Sequence, residues 1–88
     1  MVLLKLDERL LADSIENMQG SIEFHREATF IILELPSGKS VQHTLEKYRI
    51  LLKQPVVAVI NGQTADFTQV LVDGDQVRLL PQIAGGRY

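Results

Sequence analysis

Apolar and polar positions alternate over one part of this chain, recur at helical spacing over the next, and then alternate again. From Ser21 to Arg26, Ile22 and Phe24 fall on one side and Glu23 and His25 on the other, the period-two pattern of a half-buried strand. Thr29 to Leu35 is rich in β-branched and aromatic residues and predicts a second strand. The short connection through Arg26 to Ala28 predicts that the two form an antiparallel hairpin. Ile31, Leu33 and Leu35 share one face of the second strand, but Phe30 and Ile32 are apolar on the other. A strand apolar on both sides needs cover on both sides. An N-terminal helix, a second copy of the chain or a partner protein could supply it.

Pro36-Ser37-Gly38 ends that strand, and Ser40 suits the N-cap of a helix. Val41, Leu45, Tyr48 and Leu52 follow at helical spacing, predicting a main helix that ends between Tyr48 and Leu52, with Pro55 barring further extension. Tyr48 and Phe67 are expected in the core. Val56 to Ile60 is a continuous apolar run typical of a buried strand, and Asn61-Gly62 signals a tight type I′ hairpin. Gln63 to Phe67 is the expected return. A glycine-centred turn in Leu71–Val77 leads into a last strand, Gln76 to Leu80.

Before the hairpin, residues 7–20 predict a short helix. Asp7 can cap it, Glu8 suits the positive end of its dipole, and Gly20 stands where a helix-terminating glycine belongs. Leu11, Ile15 and Met18 recur at helical spacing, with Leu10 alongside. A second layout makes Val2 to Leu6 the first strand, with the helix as an insertion after it. It ranks below the first because Ile22 to Leu35 already completes a hairpin. The expected division is an N-terminal extension with a short helix (1–20), a compact domain (21–82) and a flexible tail (83–88). The element order predicts an α+β domain: a mixed four- to five-stranded sheet packed on one main helix, with the extra N-terminal helix beside it.

Composition narrows the chemistry. The 88 residues include no cysteine, which excludes a disulfide framework, a thiolate zinc site and a thiol nucleophile. A formal charge of −2 with nine scattered basic residues argues against nucleic acid as a partner. No apolar run approaches a membrane span, and Met1 to Leu6 is too short for a signal core, so a cytoplasmic location is expected. His25 and His43 have no metal-ligand spacing. Asp73-Gly74-Asp75 lacks the later ligands of a calcium loop, and the serines have no histidine at an interpretable spacing. Neither a catalytic residue nor a metal site is expected.

The chain closes on Leu80-Pro81-Gln82-Ile83-Ala84-Gly85-Gly86-Arg87-Tyr88. Consecutive glycines add nothing to a core and cost backbone entropy, but they suit a segment that threads into a narrow site on another protein. Leu35–Val41, Val57–Gly62, Leu71–Val77 and Pro81–Gly86, in that order, resemble the MoaD/ThiS family of ubiquitin-like sulfur-carrier proteins, which have the β-grasp fold. The likeness covers roughly residues 21–86.

The resemblance implies a carrier rather than an enzyme. It binds no cofactor of its own, and an E1-like adenylating enzyme uses ATP to activate the Gly86 carboxylate. Gly86 then becomes a thiocarboxylate that gives its sulfur to an acceptor enzyme, as in molybdopterin or thiamin biosynthesis, while Ala84 and Gly85 thread the tail. The sulfur would ride on a carbonyl carbon, so no cysteine is needed. Arg87 and Tyr88 depart from the family pattern, which ends at the second glycine, and imply removal by a processing protease. Phe30, Ile32 and Leu80 are the expected partner face, and the two-faced second strand leaves room for a homodimer. Two other readings share the fold: a modifier joined through Gly86 to lysines of target proteins, and a non-covalent interaction module.

Overall fold

The computed structural model describes residues 1–12, 23–27 and 30–82. Its strands are β1 (Val2–Asp7), β2 (Glu23–Glu27), β3 (Phe30–Leu35), β4 (Val56–Ile60), β5 (Gln63–Ala65) and β6 (Gln76–Pro81), and α1 (Val41–Lys47) is the single α-helix among the described residues. They form one mixed sheet in the order β2-β3-β1-β6-β4-β5. β1 and β6 run parallel at its centre, and every other pairing is antiparallel. A mixed sheet with one helix on it is compatible with a β-grasp.

The N-terminal region departs most from expectation. Val2, Leu4 and Leu6 are buried and alternate with half-buried Leu3, Lys5 and Asp7. That alternation makes β1 a strand inserted between β3 and β6, not part of an extension ahead of the domain. It also raises the sheet from the expected four or five strands to six. The expected helix over 7–20 is not seen in its described part. Asp7 ends β1 and caps only a single 3-10 turn, Glu8–Leu10, accepting a hydrogen bond from the Arg9 amide. Leu11 then bridges to Leu52 in extended backbone. Residues 13–20, with Ile15, Met18 and Gly20, lie outside the described residues. Of the second layout, the first strand over Val2 to Leu6 is found, and the helix inserted after it is not seen in its described part.

Elsewhere the local signals hold. The Ser40 hydroxyl caps α1, accepting from the His43 amide at 3.1 Å. The helix stops at Tyr48, before the limit set by Pro55, because the chain turns through a left-handed Arg49 with φ 54°. Asn61 and Gly62 both take positive φ, 51° and 84°, as a type I′ hairpin turn requires. The core lies between α1 and one face of the sheet. Leu4, Leu6, Ile31, Leu33, Leu71 and Leu79 are its largest fully enclosed side chains, with Tyr48 and Phe67 packed at its margin.

One end of the sheet is fastened by side chains as well as by the ladder. Buried Asp75 accepts from the Asn61 side-chain amide and from the Val72 backbone amide, both at 2.9 Å. The Asn61 carbonyl oxygen in turn accepts from the Gln76 amide at 2.9 Å. The β4–β5 turn is thereby locked to the start of β6. The Asp73-Gly74-Asp75 stretch is a structural clasp, with Asp75 spent on backbone and amide donors and Asp73 paired with the Met1 amino group.

Candidate functional site

Two neighbouring features make up the site: the sheet face turned away from α1, and the end of β6 from which the tail departs. Side chains on successive strand positions point to opposite faces. Burial of Ile31, Leu33, Val77, Leu79, Ala58 and Ile60 against α1 therefore turns Phe30, Ile32, Arg78, Leu80, Val57 and Val59 outward. The registers order that open face. Ile32 lies beside Lys5, Lys5 beside Arg78, and Arg78 beside Val59. In the next row Phe30 lies beside Asp7, and Leu80 beside Val57. The three expected partner-face residues thus share one face, with β1 running between Phe30 and Ile32 on one side and Leu80 on the other. All three are half-buried.

A shallow depression of about 290 Å³ opens on this face, lined by Leu3, Lys5, Ile32, Gln76, Val77 and Arg78. The Lys5 ammonium stands 4.7 Å from the centre of the Phe30 ring, a cation–π distance. On β2, His25 Nε2 lies 2.6 Å from Glu34 Oε2. At the far end of β1, Arg9 grips Asp7 through Nε, at 3.1 Å from Oδ1 and 3.3 Å from Oδ2, and through Nη2 at 2.7 Å, and its amide adds a fourth hydrogen bond. The side-chain bonds, then the amide, stabilise the Asp7 carboxylate and lower its pKa to about 2.

β6 delivers the chain to the same end of the sheet. Pro81 pairs with Val56, and the Gln82 amide donates to the Pro55 carbonyl at 3.0 Å. Neighbouring segments are stitched there too: the Lys53 amide donates to Leu10 and the Ala12 amide to Leu51, each at 2.8 Å. The last described residue therefore rests on a braced platform, with Leu80 on the open face just before it. Ala84, Gly85, Gly86, Arg87 and Tyr88 lie outside the described residues. Covalent geometry alone limits Gly86 to within about 14 Å of Gln82.

His25 and His43 stand on different elements, and no group of acids and histidines suited to a metal ion occurs among the described residues. No described helix is long and apolar enough to cross a membrane. Sequence reasoning missed Lys5 and Arg78. They come together only through the parallel β1–β6 register, which leaves no local signal.

Comparison with known proteins adds the decisive observation. The model of the ThiS family matches residues 24–86, most of the chain, and the match runs through both glycines of the tail. The chain belongs to the ThiS family. That family consists of small ubiquitin-like sulfur carriers rather than enzymes, and it implies interaction with an E1-like activating enzyme and with sulfur-transfer partners. Comparisons with curated proteins and with solved structures gave no match. β1 falls outside the matched residues although it forms the middle of the sheet.

Proposed function

We propose that the protein is a sulfur carrier activated at the Gly86 carboxylate. The observation that carries this reading is the family match ending on Gly86 itself, downstream of a strand end braced at Gln82. The carboxylate oxygen of Gly86 attacks the α-phosphorus of ATP held by the adenylating enzyme, and pyrophosphate leaves. The resulting acyl-adenylate turns a poor electrophile into a reactive one, because AMP is a good leaving group. A sulfur donor displaces AMP and leaves a thiocarboxylate on Gly86, which an acceptor enzyme consumes in a cofactor biosynthesis of the molybdopterin or thiamin type. The protein itself binds no cofactor in this scheme; the ATP belongs to its partner.

Ala84 and Gly85 are the narrow segment that passes through the partner's channel, and Phe30, Ile32 and Leu80 seat the partner on the open face. Arg87 and Tyr88 stand beyond the match and are removed by a protease first, since a phenol ring does not suit a channel shaped for glycine. A cytoplasmic site of action agrees with the dependence on ATP.

The test uses purified ThiS-type adenylating enzyme and measures ATP–pyrophosphate exchange and intact mass. The chain ending at Gly86 is expected to support exchange and, with a sulfur donor, to gain the mass of oxygen replaced by sulfur. The full chain is expected to be inert until it loses Arg87 and Tyr88. Full activity without that mass loss overturns the processing step. Lysine-linked adducts in place of the sulfur gain identify a protein modifier instead.

A further inference from the structure

On the open face Asp7 and Glu34 are engaged by basic side chains, whereas Lys5, at its centre, meets the Phe30 ring. Asp7 is held by Arg9, with Nη2 at 2.7 Å, and Glu34 by His25 at 2.6 Å. Lys5 and Arg78 are direct neighbours in the parallel register. Among the described residues neither is within ion-pair distance of a carboxylate. Both line the same depression as Leu3 and Ile32. Like charges set side by side on a sheet repel, and an incoming anion would relieve that repulsion. The chain as a whole carries −2, so a local cation pair framed by leucine, isoleucine and phenylalanine is not the by-product of a basic surface.

We propose that this depression is a docking subsite for a partner polypeptide that presents a carboxylate side chain flanked by apolar residues. The carboxylate lies between the Lys5 ammonium and the Arg78 guanidinium, whose planar fork suits a two-point contact. The flanking apolar side chains rest on Leu3 and on Ile32 with Phe30. Two cations bounded by Asp7 and Glu34 form an isolated point of positive charge, not the stripe that a nucleic-acid backbone needs. The inference rests on reading the open face as a docking surface, and it is independent of the chemistry at Gly86.

The experiment is an amide-resolved NMR titration of the full, isotope-labelled chain. Three probes are used: a short peptide alternating Leu and Glu, its counterpart with Lys in place of Glu, and inorganic phosphate. The Leu/Glu peptide is expected to shift the amides of Leu3, Lys5, Ile32, Gln76 and Arg78, with binding that weakens as salt is added. The Lys5→Glu/Arg78→Glu variant is expected to bind it about tenfold more weakly and to prefer the Leu/Lys peptide. Arg78→Gln, an exposed neutral change, is expected to fall between the two, and the amide spectra report directly that each variant is folded. Equal shifts on this face with both peptides would overturn the charge-based subsite while leaving the docking surface standing. Shifts confined to other surfaces, or none with the Leu/Glu peptide, overturn both. The same shifts with phosphate alone overturn a polypeptide occupant.

Discussion

The two faces of the sheet are drawn from the same strands, residue by alternate residue, yet they do different work. Toward α1, Val2, Leu4, Leu6, Ile31, Leu33, Leu35, Val77 and Leu79 are each at most 2% exposed. On the opposite face Leu3, Lys5, Phe30, Ile32, Leu80, Val57 and Val59 are only half-buried. They are interleaved with Asp7, Glu34 and the exposed Arg78. Close packing without water makes the first face the main source of stability. The second face keeps apolar area and charge in reach of another molecule. A small domain can separate stability from recognition in this way because side chains alternate along a strand.

Replacing neighbours on β3 is the most direct way to break that comparison. Leu33→Ala removes a fully enclosed side chain and is expected to lower the unfolding free energy by about 2–5 kcal/mol. Ile32→Ala, one residue away on the open face, is expected to cost less than about 1 kcal/mol while weakening binding of the activating enzyme. Urea unfolding alongside a binding titration measures both, and equal destabilisation by the two substitutions would erase the distinction between the faces.

Next comes the clasp at the start of β6. Asp75→Ala leaves the Asn61 amide and the Val72 amide without their acceptor, at an expected cost of about 1–3 kcal/mol. Asn61→Ala should not add fully to it, since both side chains belong to one network. A double-mutant cycle by thermal unfolding checks this.

The smallest effect concerns Asp7, the acid of the open face that Arg9 holds. Its carboxyl titrates near pH 2 in the folded protein instead of at the ordinary 3.8. A depressed carboxyl pKa adds stability that is fully present above the ordinary value and is lost as pH falls through the folded one. The stability difference between the wild type and Asp7→Asn should therefore be constant above about pH 3.8 and shrink toward about pH 2. Its partner Arg9 is largely exposed, so solvent screens the pair and the amplitude is small. A difference that does not change over that range would show that the Arg9 contact does not bear on folding.

Much of the architecture was legible because it rests on local signals. The Ser40 cap, the Asn61-Gly62 turn and the run Val56–Ile60 each act within a few residues. β1 was less legible, although Val2, Leu4 and Leu6 alternate with Leu3, Lys5 and Asp7. The helical spacing from Leu11 onward and the capping character of Asp7 competed with that alternation, and the hairpin of β2 and β3 looked complete without a third partner. Only a non-local pairing reveals that β3 needs β1. The site divides in the same way. Gly85-Gly86 can be read from the chain because glycine repeats are rare where a core is needed. The meeting of Lys5 and Arg78 cannot, because it depends on register between distant segments.

The parallel contact of β1 with β6 has a consequence for how the protein comes to be folded. It joins residues 3–6 to residues 76–79, almost the full span of the chain. Contacts of such sequence separation form late, because loop closure must precede any gain from pairing. On the ribosome β1 must wait with its central edge open until β6 emerges, and β6 is the strand that carries the tail. Closure of the sheet and presentation of the tail are therefore one event. A chain cut short before β6 has neither a finished sheet nor a terminus to offer an activating enzyme.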